Sequence, residues 1–268
     1  MPLPLPASDP TLLADGRSPL ELVVAQVRFD PQPAITDSGI ALLLHQGLGG
    51  SEGRFARVAP VQTQTAQFIV GAAPRPEAEF TQAVAGWHLA DAEGTWTASV
   101  MTDSLALNTT RYTGWSEFQQ QLDSLMKATT ALLSPVFEQR LGLRYVNRLT
   151  QPGGASPSDW RGLVADALLS AVLHPAFGDL VRATQQQVDL DLGEGIQCTL
   201  RHGVFVDPAR EGQSSYLIDI DVFRDRSRPF DAGAILTILD TFNQLALGIF
   251  QQAITPTLLA FLQGKETT

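Results

Sequence analysis

Cysteine occurs once in this chain, at Cys198. A lone thiol excludes an intramolecular disulfide and any multi-cysteine zinc or iron–sulfur site, and it fits a reducing compartment. Lysine is nearly as scarce, with Lys127 and Lys265 against sixteen arginines. Basic residues together number 18 against 28 acidic ones, a formal net charge of −10. The deficit falls on both parts: residues 1–135 carry 7 basic and 13 acidic side chains, residues 136–268 carry 11 and 15. Binding phosphates requires clustered Lys and Arg, so a nucleic-acid partner is not expected. Long apolar runs are missing as well. Ile40 to Leu44 and Leu245 to Phe250 stop far short of the roughly 18–20 residues of a membrane span. The start, Met1-Pro-Leu-Pro-Leu-Pro-Ala7, has neither the positive nor the apolar region of a secretory signal. The expectation is a cytoplasmic protein with no membrane association.

What is present describes a packed globule. Hydrophobic residues make up 44% and charged residues 17% of 268, a balance that buries a core in one large domain or in two fused units. Three prolines within the first six positions block helix and ladder alike, so residues 1–17 read as a disordered arm. Leu20 to Phe29 is a strand that stops at Asp30-Pro31, and Ile35 to Gly47 spaces Ile40, Leu43 and Leu44 at helical intervals. Strands follow at Val61–Val70, around Trp87–Leu89, and at Trp96–Met101 and Leu105–Thr109. A long amphipathic helix runs from Trp115 to Leu133.

The second part repeats that order. Gln139 to Thr150 is a strand with Leu141, Leu143, Tyr145, Asn147 and Leu149 on one face, and Arg144 and Arg148 on the other. A helix is expected from Trp160 to about Leu173. Strands are expected at Gln186–Leu192, Ile196–Val206 and Tyr216–Arg224, then a long helix through Ile235 to Phe250 and a short one after Pro256. The predicted fold class is α+β, with two similar β-α-β-β-β-α halves of TBP-like or helix-grip type, each an antiparallel sheet covered by a long helix. The boundaries are 18–135 and 136–263, with a polar tail at 264–268.

Three stretches carry a family resemblance: Pro19 to Phe29, Arg140-Leu-Gly-Leu-Arg-Tyr-Val-Asn-Arg148, and Tyr216 to Phe223 together with Ile249 to Thr255. They resemble a sporadically distributed bacterial family of similar length that carries no assigned activity. The resemblance spans nearly the whole chain, and the nonapeptide with the Leu-Arg-Tyr-x-Asn-Arg strand is its most specific part. It implies a bacterial source and supplies no catalytic residues. The family's first strand usually reads Val-Glu-Val, whereas here Glu21 is followed by Leu22.

Reactive constellations are sparse. His45, His88, His174 and His202 are scattered without metal-ligand spacing, so no metal is expected, and no phosphate loop, nucleophile elbow or dinucleotide fingerprint suggests a cofactor. Gly47 to Gly53 is glycine-rich but lacks the lysine of a phosphate loop and reads as a flexible loop. Asp189 and Asp191 alternate with Val188 and Leu190, as on the wet face of a half-buried strand.

The candidate ligand-binding set is Arg144, Arg148, Tyr145, Asn147, Asp219 and Asp221. Arginine meets carboxylates in bidentate pairs, so Asp219 and Asp221 are either its internal partners or its competitors for an acidic ligand. Trp87, Trp96, Trp115 and Trp160 read as core or as the lining of an apolar cavity. The leading expectation is a non-enzymatic interaction protein that pairs with itself or with a neighbouring-gene product. The alternative is a small acidic or apolar ligand binder, or a ligand-modifying enzyme, built around Arg144 and Arg148.

Overall fold

A computed structural model describes residue 5, residue 13 and residues 17–69, 77–150 and 156–265. The expected N-terminal arm and tail lie largely outside the described residues. The architecture is α+β, with a ten-stranded antiparallel sheet and five α-helices among the described residues.

The strands are β1 (Leu20–Phe29), β2 (Arg57–Ile69), β3 (Glu77–Ala90), β4 (Trp96–Met101), β5 (Ser104–Thr109), β6 (Phe137–Leu149), β7 (Gln186–Gly193), β8 (Ile196–Val206), β9 (Ser214–Arg224) and β10 (Arg228–Pro229). The helices are α1 (Ser38–Gly47), α2 (Trp115–Thr130), α3 (Asp166–Leu169), α4 (Ala232–Ala253) and α5 (Pro256–Leu262). Across the sheet the order is β2-β3-β4-β5-β1-β6-β9-β8-β7, with β10 beside the start of β6. β1 and β6 pair antiparallel at the centre, so the sheet is continuous across the middle of the chain.

Alternation decides which face is buried. Val23, Ala25, Val27 and Phe29 of β1 lie inward, as do Leu141, Leu143, Tyr145 and Leu149 of β6 and Ile218, Ile220 and Val222 of β9. Residues two apart on a strand share a face, so these side chains form one apolar floor. The helical pattern supplies the cover: Phe118, Leu122, Leu125 and Met126 of α2, and Ile235, Leu239, Phe242 and Ile249 of α4, recur at 3.6-residue spacing and are buried. The two long helices touch, Trp115 Nε1 donating to Asp240 Oδ1 at 2.5 Å. Asp231 caps α4 by accepting from Ala234 N, and Thr255 caps α5 from Leu258 N.

Some expectations need correction. The helix expected from Trp160 to Leu173 is broken into 3-10 turns at Pro157–Trp160 and Ser170–Leu173 around the four-residue α3. Gly162 adopts φ +75°, Val164 bridges to Arg161 and Ile254, and Ala165 N donates to Ala253 O. Tertiary bonds to the end of α4 therefore claim backbone groups that a helix would use internally. Gly47–Gly53 holds a 3-10 turn at Gly50–Glu52, and a Cβ on Gly53 would lie 2.1 Å from Leu48 O, which explains glycine there. β3 begins at Glu77, well before Trp87. α4 is long and apolar enough by composition to cross a membrane, with mean hydropathy 1.4 over its most apolar window. The run-length reading did not foresee that. Its apolar stripe lies against the sheet.

Candidate functional site

Strand β6 divides the expected site in two. Arg144 and Arg148 point away from the helices, while Tyr145 and Asn147 point beneath them, as the period of two requires. Tyr145 Oη donates to Asn243 Oδ1 at 2.7 Å under α4, and its ring meets Tyr112 edge-on at 6.0 Å. Burial raises its pKa well above the ordinary phenol value. Asn147 Nδ2 donates to Ile218 O at 3.2 Å. The structure thus does not gather the six residues into one pocket.

On the open face, arginines recur every fourth residue along β6, at Arg140, Arg144 and Arg148. By register Arg144 stands opposite Asp221, but its guanidinium reaches diagonally to Asp219, with Nε and Nη2 each 2.7 Å from a carboxylate oxygen. This is the bidentate geometry that makes Arg–carboxylate pairs directional. Asp219 is 4% exposed and also lies 3.7 Å from Arg201 of β8. The hydrogen bonds that Arg144 donates to Asp219 push the Arg144 pKa further up. Asp221 sits 3.5 Å from Arg140, which also covers the Phe223 ring at 4.8 Å. Gly142 leaves room for that guanidinium, since a Cβ there would lie 3.0 Å from Arg140 Nη1.

Arg148 stands opposite Leu217, which offers no charge, and takes Glu21 at 2.5 Å and Asp207 at 3.3 Å instead. Asp207 was legible only as the start of a turn. It accepts from Ala209 N and from the Ser215 hydroxyl, capping the turn at Pro208–Arg210 while holding Arg148. An Asp-Pro pair directly after a strand is the signal that marked it. Glu21, Arg140 and Arg201 carried no signal beyond their parity on the strands.

A further ion pair lies on the helix side. A register irregularity between Arg28 and Phe29 drops Gln139 out of the ladder, so Glu138 turns inward. There it accepts from Arg224 Nη2 at 2.7 Å, with side chains only 3% and 5% exposed. Nearby chemistry is quiet. Burial pushes the Cys198 thiol up to about 12 and lowers the His202 pKa, and His202 Nδ1 is engaged by the Tyr216 hydroxyl at 2.9 Å. The tryptophans are packed: Trp87 Nε1 donates to Ile35 O, Trp160 Nε1 to Ser214 Oγ, and Trp96 and Trp115 both rest on Phe118. Among the described residues no group of three or more His, Cys, Asp or Glu is placed to hold a metal ion.

Beside Arg148 a cleft of about 110 Å³ is lined by Arg17, Ser18, Thr150 and Phe261. Pockets for drug-sized ligands run roughly 300–1,000 Å³, so this one suits only a very small group. Arg17 already donates to Phe261 O at 2.6 Å and lies over its ring. No protein-family model matches the chain, and comparison with curated proteins finds no match.

Proposed function

We propose that this is a bacterial, cytoplasmic, non-enzymatic binding protein built from two copies of one β-α-β-β-β-α unit, in the manner of TBP-like or helix-grip folds. The duplication is supported by strand order: moving outward from the central pair, β1-β5-β4-β3 and β6-β9-β8-β7 follow the same sequence of first, last, middle and earlier strand. Each half ends in a long helix on the shared face. The fold alone fixes no function, so the reading rests on the site.

One observation carries it. The charged side chains of the open face are tied to one another, Arg140 and Arg144 to Asp221 and Asp219 and Arg148 to Glu21 and Asp207, which makes them register-setting contacts instead of reactive groups. What remains for function is surface: a sheet face and strand edges that no element covers among the described residues, which suit a protein partner. The cleft beside Arg148 favours a second reading, a very small acidic ligand.

Native mass spectrometry of the protein purified gently from its own host separates the two. A defined protein assembly is the expected result. A stoichiometric small molecule, lost on Arg148→Ala, overturns the first reading in favour of the second.

A further inference from the structure

Resting on that reading, we infer that the β2–β3 hairpin is a dimerisation arm whose partner is the same arm of a second copy of this chain. β4 pairs with β3 only from Gly86 to Ala90. Beyond that point, eight residue pairs from Gln62↔Val84 to Ile69↔Glu77 continue as a two-stranded ribbon, and no third strand joins it among the described residues. At about 3.3 Å per residue the ribbon extends roughly 26 Å past the sheet.

The departure point is built for it. The ladder skips Ala85 between Val61↔Gly86 and Gln62↔Val84, a bulge that adds twist and redirects the strands. Gly86 lies so close to β4 that a Cβ would meet Val100 O at 2.4 Å and Met101 Cα at 2.8 Å. A ribbon of two strands is marginal in water on its own, and a third strand or a covering face stabilises it. Gln62, Thr63 and Gln64 are exposed in succession, so at the ribbon's base both faces are open.

Charge selects the occupant. From Val58 to Pro74 the sequence contains no Asp, Glu, Lys or Arg, in a chain of net charge −10. Two copies repel through most of their surface and least along this run. Antiparallel pairing of β2 with its own copy about a two-fold axis needs no complementary charge, because each residue meets its counterpart in an isologous contact. The other free edge is defended: β7 has eight residues and carries Asp189 and Asp191, both exposed. On β2 the residues that serve that purpose are Arg57 and Pro60, and both lie at the base, opposite Ala90 and Trp87.

The test uses the full chain in sedimentation equilibrium at micromolar concentration, alongside two variants. Gln62→Lys with Gln64→Lys places like charges on the ribbon, and a shortened form replaces Gln64–Gln82 by an Asn-Gly turn. A mass of twice 28.9 kDa for the wild type, falling to the single mass in both variants while each still unfolds cooperatively on heating, is expected. Single cysteines introduced at Gln62, Thr63 and Gln64 extend the test, since Cys198 is buried. At least one should give an intermolecular disulfide on oxidation, and Val188→Cys on β7 should not. A dimer that survives both variants overturns the arm. A wild-type monomer that still holds another protein overturns the arm and leaves the binding reading standing, whereas a monomer that holds none sinks both.

Discussion

The two halves of the sheet follow the same strand order over four strands, β2 being extra in the first, and solve different problems. Among described residues, the buried polar side chains of the first half are Ser104, Thr109 and Thr129, none of them charged. The second half buries Glu138, Asp207, Asp219 and Arg224 along with Asn147, Thr199, His202, Ser214 and Ser215. Buried charge is tolerated only when paired, and each pair then admits a single register. The second half is thus pinned by ion pairs and closed at its edge by Asp189 and Asp191. The first half is held by apolar packing and, among the described residues, leaves free an edge strand that is uncharged from Val58 onward. Charge that fixes one half makes it a poor docking edge, and its absence makes the other half available.

The largest test of that contrast is Glu138→Gln, which leaves Arg224 buried without its counter-charge. Losing one partner of such a pair costs about 3–5 kcal/mol, to be read as a fall in the urea midpoint at constant slope. A change under about 1 kcal/mol would mean that the second half is not pinned in this way.

Two carboxylates on the open face sharpen the comparison through pH. Burial alone would raise the pKa of Asp207, but the Ser215 hydroxyl, the Ala209 amide and the charges of Arg148 and Arg210 outweigh it and hold the pKa below 3.8. A depressed folded pKa gives stability that is present above the unfolded value and lost as pH falls through the folded one. Asp207→Asn should therefore lower Tm at neutral pH and flatten the loss below about pH 4. Asp221 behaves oppositely: burial raises its pKa despite Arg140 and Arg144. Its contribution is present below the unfolded value and lost as pH rises through the folded one, so Asp221→Asn should gain on the wild type as pH rises above about 4. Melting curves of the three proteins from about pH 2 to neutral decide it. Parallel curves would remove the distinction between the two groups.

The smallest effect belongs to the first half. Arg28 and Asp103 meet at 3.3 Å with side chains 52% and 46% exposed. Exposed pairs contribute little, so Arg28→Ala should stay within about 0.5 kcal/mol of wild type by the same denaturation. A loss comparable to that of Glu138→Gln would erase the asymmetry.

Most strands and both long helices were legible because periodicity is local. Leu141, Leu143, Tyr145, Asn147 and Leu149 alternate, and the structure puts all five on the inner face. The same alternation already separated Tyr145 and Asn147 from Arg144 and Arg148, so listing the four as one site overlooked what the pattern implied. The helix expected after Trp160 failed for a non-local reason: Ala253 O and Ile254, about ninety residues away, compete for its backbone. Asp207 escaped as the partner of Arg148 because the contact spans two strands and a turn, which no local spacing encodes.

By itself the sequence determined the α+β class, the inward stripe of each strand and long helix, the acidic surface and the inert single cysteine, all properties of composition and of periods of 2.0 and 3.6 residues. Tertiary structure alone decided which carboxylate each arginine meets, the inward turn of Glu138 and the ribbon that leaves the sheet at Gly86. Those depend on register and on where a neighbouring strand ends, and both are set between segments far apart in the chain.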